Sequence, residues 1–124
     1  MPSTNQGIFR KILNKYRDLL NDYNDLVSRY ESDDISFFDG LAQDSESFYN
    51  ATNELAFKIV NLLESSDFKM NETRPDYEDI MSECFSMSSK IKSYFNAYVH
   101  DIEISGGLSD AERNTISNMT IWDR

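Results

Sequence analysis

The sequence predicts an all-α protein, an antiparallel bundle of three long helices followed by a short C-terminal one. Two observations favour this fold: apolar residues recur at seven-residue intervals along most of the chain, and no alternating run of β-branched residues competes with that period. Turn-forming residues divide the periodic chain into four segments. The predicted helices span residues 8–31, 36–64, 75–104 and 110–119, all within one helical-bundle domain, residues 1–124.

The first predicted helix has the clearest repeat. Its seam positions alternate in steps of four and three, as in a coiled coil, and a second apolar row widens the face to that of a bundle helix. The seam is Phe9, Leu13, Tyr16, Leu20, Tyr23, Val27 and Tyr30, and the row beside it is Ile12, Leu19 and Leu26. We expect the seam, including Leu20, to form the core contact of this helix.

The second predicted helix is less regular. Its main row repeats every seven residues, but the companion row contains Ser45 and Thr52 and is polar in the middle. Gly40 lies near the start, where glycine costs roughly 1 kcal/mol relative to alanine in a helix. Two alternatives remain open: one kinked helix, or a short helix over residues 36–43 followed by a main helix capped by Asp44. The main row is Leu41, Phe48, Leu55 and Leu62.

A polar, aperiodic stretch, residues 65–73, is predicted to be the loop before the third helix. Pro75 suits the first turn of that helix, because its missing N–H would have no intrahelical partner. The apolar positions then repeat the four and three alternation: Tyr77, Met81, Cys84, Ser88, Ile91, Phe95, Tyr98 and Ile102.

Two local signals separate the third helix from the fourth. The pair Gly106 and Gly107 predicts a left-handed stop, and Ser109 with Glu112 predicts a capping box that starts the last helix. Trp122 lies beyond that helix. It either packs on the bundle or is offered to another molecule.

Charge is distributed unevenly along the chain. The formal net charge is −10, yet residues 1–17 contain four basic side chains and no acidic one. These cations oppose the dipole of their own helix, so they either pair with acids of a neighbouring helix or contact a partner. The acids expected to pair with them open the third helix: Asp76, Glu78, Asp79 and Glu83. The candidate partner-binding residues are Arg10, Lys11, Lys15, Arg17 and Trp122.

The sequence predicts no catalytic residue, no cofactor and no metal site. His100 is the only histidine, so it cannot supply both histidines of a di-iron carboxylate bundle. Cys84 is the only cysteine, and sixteen residues of helix, about 24 Å, separate it from His100. A buried thiol is therefore the expected role of Cys84.

The acidic balance limits the kind of partner. It repels nucleic acids and anionic membranes at long range and favours basic proteins. Long heptad helices in a small chain also present stripes that a second copy can cover, so self-association is a second expectation. No window approaches the ~18 apolar residues of a membrane-spanning helix, and one cysteine allows no intrachain disulfide, so we expect a cytoplasmic protein.

The predicted function is therefore a non-enzymatic protein–protein interaction module, a small acidic helical bundle that binds a basic protein partner or itself. Two further classes stay open. One is an acidic nucleic-acid mimic, such as a phage-type inhibitor of restriction or CRISPR systems, whose carboxylates would line one face at phosphate-like spacing. The other is a small secretion or assembly helper with a chaperone-like role.

Overall fold

The structure, a computed structural model, describes residues 5–32, 37–65 and 74–123. Its long helices are α1 (Asn5–Tyr30), α2 (Leu41–Glu64) and α3 (Arg74–Ile104), followed by the short α4 (Asp110–Ser117). A 3-10 helix, Phe37–Asp39, precedes α2. The prediction of an all-α bundle with three long helices and a short C-terminal one is confirmed. Within the described ranges, no helix has the length and apolar character needed to cross a membrane.

The three long helices run up, down and up. The rings of Phe9 and Tyr77 lie 5.2 Å apart near the starts of α1 and α3, and those of Tyr30 and Tyr94 lie 5.3 Å apart much later in both helices. Tyr30 also shares a hydrogen bond of 2.6 Å with Ser45, near the start of α2. α1 and α3 are therefore parallel, and α2 is antiparallel to both.

The start of α2 differs from the prediction of a helix from residue 36. Gly40 has a φ of 148°, which side-chain-bearing residues rarely adopt, and the α-helix begins only after it. Residues 37–39 form the separate 3-10 helix, while Ser36 lies outside the described residues. Asp44 stands in the first turn of α2 and not at its cap, which is Gly40, so the predicted capping role of Asp44 is wrong.

The core contact of α1 is also different from the one expected. Ile12, Leu19 and Leu26 are buried, with exposed fractions of 1%, 3% and 2%, whereas all seven seam residues are only half-buried. α1 packs against both α2 and α3, so the row that points between those helices is enclosed from two sides. The seam residues lie to one side of this row: Phe9 packs on Tyr77 of α3, whereas Tyr23 packs on Phe48 of α2.

The polar middle of α2 is buried without leaving its hydroxyl groups unpaired. Ser45 and Thr52 are both inaccessible to solvent. Thr52 Oγ1 donates to the carbonyl oxygens of Phe48 and Tyr49, at 2.9 and 3.0 Å, and Ser45 bonds the phenol of Tyr30. Burial raises the pKa of Tyr30 to about 12, so the phenol stays neutral at ordinary pH. Small hydroxyl groups are tolerated here because each has a partner.

The end of α3 and the start of α4 follow the local signals. Gly106 is left-handed, with a φ of 73°, and the N–H of Gly107 donates to the carbonyl of Ile102 at 2.9 Å. Ser109 and Glu112 form both bonds of the predicted capping box. Both predictions are confirmed.

Candidate protein-binding groove

An open groove separates α1 from α2. It consists of two adjoining cavities of about 400 and 260 Å³, and Lys15 and Ala51 line both of them, so they form one continuous depression. The base of the groove is formed by the edges of five core side chains, each at most 4% exposed: Ile12, Leu19, Leu26, Phe48 and Leu55.

One row of α1 supplies the charged wall of this groove. Its members are spaced by four and three residues, like the apolar seam, so they lie along one face of the helix. The row extends about 27 Å at 1.5 Å per residue. We call it the α1 charged row: Lys11, Lys15, Asp18, Asp22, Asp25 and Arg29.

The half of the groove nearer the end of α1 is acidic. Arg29 bridges the two helices there, with its Nη1 2.9 Å from Asp44 Oδ2 and 3.5 Å from Asp25 Oδ2. The hydrogen bond to Asp44 raises the pKa of the Arg29 guanidinium, which stays charged. Asp18 and Asp22 make no ion pair with any described residue. This half therefore presents two carboxylates that Arg29 does not neutralise.

The half nearer the start of α1 is basic. Lys11 and Lys15 face Lys58 of α2 across the smaller cavity, together with the single acid Glu54. All three lysines are exposed, and within the described part of the chain none forms an ion pair. The groove therefore carries a charge gradient, positive near the start of α1 and negative towards its end.

The expected pairing of the early cations with α3 is wrong. Arg10, Lys11, Lys15 and Arg17 are all exposed, and none makes an ion pair within residues 5–32, 37–65 and 74–123. Near the start of α1, the side chains that lie next to the acids of α3 are apolar, so the cations of α1 are on other faces of the helix. The cavity between these parts of α1 and α3 is lined by Phe9, Leu13, Tyr16, Asp76, Asp79, Ile80 and Glu83.

The four cations do not share one surface either. Lys11 and Lys15 line the groove, whereas Arg10 and Arg17 line none of the three cavities described above. Trp122, the fifth candidate, is half-buried with its ring 5.3 Å from that of His100 in α3. Of the two alternatives for Trp122, the structure shows the one in which it packs on the bundle.

The one cysteine and the described acidic side chains do not form a reactive centre or a metal site in this groove. Cys84 is fully buried, as predicted, and burial together with nearby Glu83 raises the pKa of its thiol to about 11. Among the described side chains, no three His, Cys, Asp or Glu are placed to hold a metal ion. Comparison of this chain with protein-family models, with curated proteins and with solved structures found no match.

Sequence reasoning identified Lys11 and Lys15 as candidate binding residues but missed the other residues of both walls of the groove. The spacing of the α1 charged row repeats the heptad, so it was a visible signal for the α1 wall. No spacing in the sequence indicates the α2 wall, with Asp44 and Lys58. The two helices are brought together there by contacts between residues at least fifteen positions apart, such as Arg29 and Asp44. Glu46 and Asn96, which hold the C-terminal segment, were missed for the same reason.

Proposed function

We propose that this chain is a non-enzymatic protein-binding module that takes an amphipathic helical segment of a partner protein in the groove between α1 and α2. The single observation that supports this is a long groove with core side chains at its base and, along one wall, carboxylates that no described cation neutralises. Asp18 and Asp22 are the carboxylates best placed for a partner's lysines or arginines. Laying an apolar helix face in a groove with charged rims is a common mode of peptide recognition.

The charge gradient also predicts the orientation in which the partner segment binds. A partner segment that is basic in one half and acidic in the other would place its basic half over Asp18 and Asp22 and its acidic half over Lys11, Lys15 and Lys58. The opposite orientation would bring like charges together, which opposes binding. Arg10 and Arg17 stay predicted contact residues outside the groove, whereas Trp122 packs on the bundle.

Nucleic-acid mimicry gains less support from this geometry. In the α1 charged row the three carboxylates are flanked by lysines at one end and by Arg29 at the other, whereas phosphates form a long unbroken line of negative charge. We keep a cytoplasmic location in the proposal, because the only cysteine is a buried free thiol, which a reducing compartment suits.

Two helical peptides with the same leucine pattern test the proposal, one carrying lysines and one carrying glutamates on the polar face. We expect the lysine peptide to bind, with an affinity that falls as salt rises. Replacing Asp18 and Asp22 by asparagine should weaken its binding roughly tenfold, since each exposed ion pair contributes up to about 1 kcal/mol. Fluorescence anisotropy of the labelled peptides measures both effects.

The matched control changes net charge by the same amount outside the groove. Glu64→Gln with Asp101→Asn removes two exposed acids that line neither cavity of the groove, and it should leave the affinity unchanged. Equal weakening by both double variants would show that only net charge matters and would reject the groove. A salt-sensitive dimer of the chain alone, lost in the Asp18 and Asp22 variant, would identify a second copy as the partner.

A further inference from the structure

The C-terminal segment, residues 118–123, lies in a cleft between α2 and α3 and is held there by backbone hydrogen bonds and by two buried apolar side chains, Met119 and Ile121. The carboxylate of Glu46 accepts hydrogen bonds from two successive backbone N–H groups, those of Thr120 and Ile121, both at 3.0 Å. It also accepts one from the Thr120 hydroxyl at 2.8 Å. Backbone N–H groups are present in nearly every peptide, so this contact does not depend on the side chains of the segment.

Asn96 holds the same segment from the α3 side. Its Nδ2 donates to the carbonyl oxygen of Ile121 at 2.9 Å, and its Oδ1 accepts from the backbone N–H of Asp123 at 2.8 Å. The Asn96 side chain is 8% exposed, so these bonds form away from most solvent. The backbone forms turns and a bend at residues 120–122, and the buried amide of Asn96 pairs there with one carbonyl and with one N–H two residues later.

Side chains of the segment add selectivity to this backbone recognition. Ile121 is completely buried, so it fills an apolar pocket that larger or charged groups would not enter. Trp122 packs on the imidazole of His100, and the carboxylate of Asp123 lies 2.9 Å from Lys92 Nζ. The cleft therefore fits a peptide with the turn conformation of residues 120–122 that carries a branched apolar residue, then an aromatic one, then an acid.

The connection between this segment and the bundle is weak by comparison. In α4 only Ile116 is buried. An exposed ion pair of 3.0 Å between Arg113 and Glu103 adds little to the stability of the docked arm. The segment thus behaves as a peptide ligand on a short covalent arm.

We propose that the cleft between α2 and α3 is a peptide-binding site that the chain fills with its own residues 118–123, and that it accepts the same segment from a second copy. The contacts of Glu46, Asn96 and Lys92 are the same whichever chain supplies the peptide. Covalent attachment gives the chain's own segment an effective concentration on the order of millimolar, so the intramolecular form prevails in dilute solution. This site is separate from the groove between α1 and α2.

Complementation between two full-length variants tests the proposal. Ile121→Asp should release the segment, because it would bury a carboxylate, and should leave an empty cleft. Glu46→Gln with Asn96→Leu should remove the hydrogen bonds by which the cleft holds the segment, and the segment itself keeps its sequence. We expect each variant alone to be monomeric and an equimolar mixture to form a one-to-one complex, measured by light scattering after gel filtration.

A labelled peptide of residues 109–123 provides the second measurement. It should bind the Ile121→Asp protein, bind wild type at least tenfold more weakly, and lose at least tenfold affinity when Glu46→Gln and Asn96→Leu are added to the Ile121→Asp protein. The same peptide with aspartate at position 121 is the control and should not bind. Circular dichroism first establishes that each variant is folded.

Wild type itself provides a test if Ile121→Asp does not fold. Trp122 is the only tryptophan, so a peptide of residues 109–123 with phenylalanine at position 122 is silent in tryptophan fluorescence. At millimolar concentration this peptide should displace the chain's own segment and shift Trp122 emission towards that of a solvated indole. Absence of peptide binding to a folded acceptor, or an unchanged Trp122 emission in wild type, would overturn the proposal.

Discussion

Two adjacent leucines of α1 differ in burial and therefore in how much they contribute to the stability of the fold. Leu19 belongs to the buried core and is 3% exposed, whereas Leu20 is half-buried and packs against the edge of that core. Removing side-chain carbons from an enclosed site leaves a cavity as well as losing the transfer free energy, but at a half-exposed site water fills the space. The burial of single residues, and not the regularity of the heptad, therefore decides what each one contributes to stability.

We predict that Leu19→Ala lowers the free energy of unfolding by about 2 to 5 kcal/mol. Leu20→Ala should cost about 1 kcal/mol, since it gives up only part of the apolar area. Denaturant titration of the two variants alongside wild type measures both losses, and each serves as the control for the other because the chemical change is identical. Equal losses at the two positions would contradict the packing of α1 described here.

At the scale of elements, helix ends are set by local chemistry. Gly106 is left-handed, and an added Cβ there would meet no atom within 4 Å, so the cost of a side chain at this position lies in the backbone alone. Gly107 does not need a left-handed backbone, but an added Cβ would lie 3.2 Å from Ile102 Cγ2. The two glycines of one turn therefore resist substitution for different physical reasons.

Gly106→Ala should lower the free energy of unfolding by about 1 to 2 kcal/mol, the penalty of a left-handed conformation for a residue with a Cβ. Gly106→Asn should cost less, because asparagine tolerates that conformation through local hydrogen bonds. Thermal unfolding followed by circular dichroism compares the two. A loss from asparagine as large as that from alanine would mean that space, and not backbone conformation, requires glycine at position 106.

The difference between local and non-local signals explains what could be predicted from the sequence. The capping box at Ser109 and the stop at Gly106 are encoded within a few residues, so they were predicted correctly. Which row of α1 is buried depends on where two other helices lie, and the heptad alone favoured the wrong row. The bonds from Thr120 to Glu46 join residues 74 positions apart, which no periodicity reveals.

At the scale of the whole molecule, α2 and α3 form the main body and α1 packs on it less completely. Each of α2 and α3 buries nine residues. Among the described side chains of α1, only Ile12, Leu19 and Leu26 are buried. The open groove against α2 and the apolar cavity against α3 flank α1 on its two sides. Local opening costs less free energy where fewer buried contacts must be broken.

We therefore predict that backbone amides in the middle of α1 exchange with solvent faster than those in the middle of α2 and α3, after correction for intrinsic rates. Hydrogen exchange read by mass spectrometry measures this, and α4, with one buried residue, should exchange faster still. If the lysine peptide fills the groove, it should slow exchange in α1 more than in α3, because it adds contacts to α1 and α2 only. Equal protection of the three long helices in the free protein would show that α1 opens together with the rest of the bundle, and the groove would then be a rigid surface.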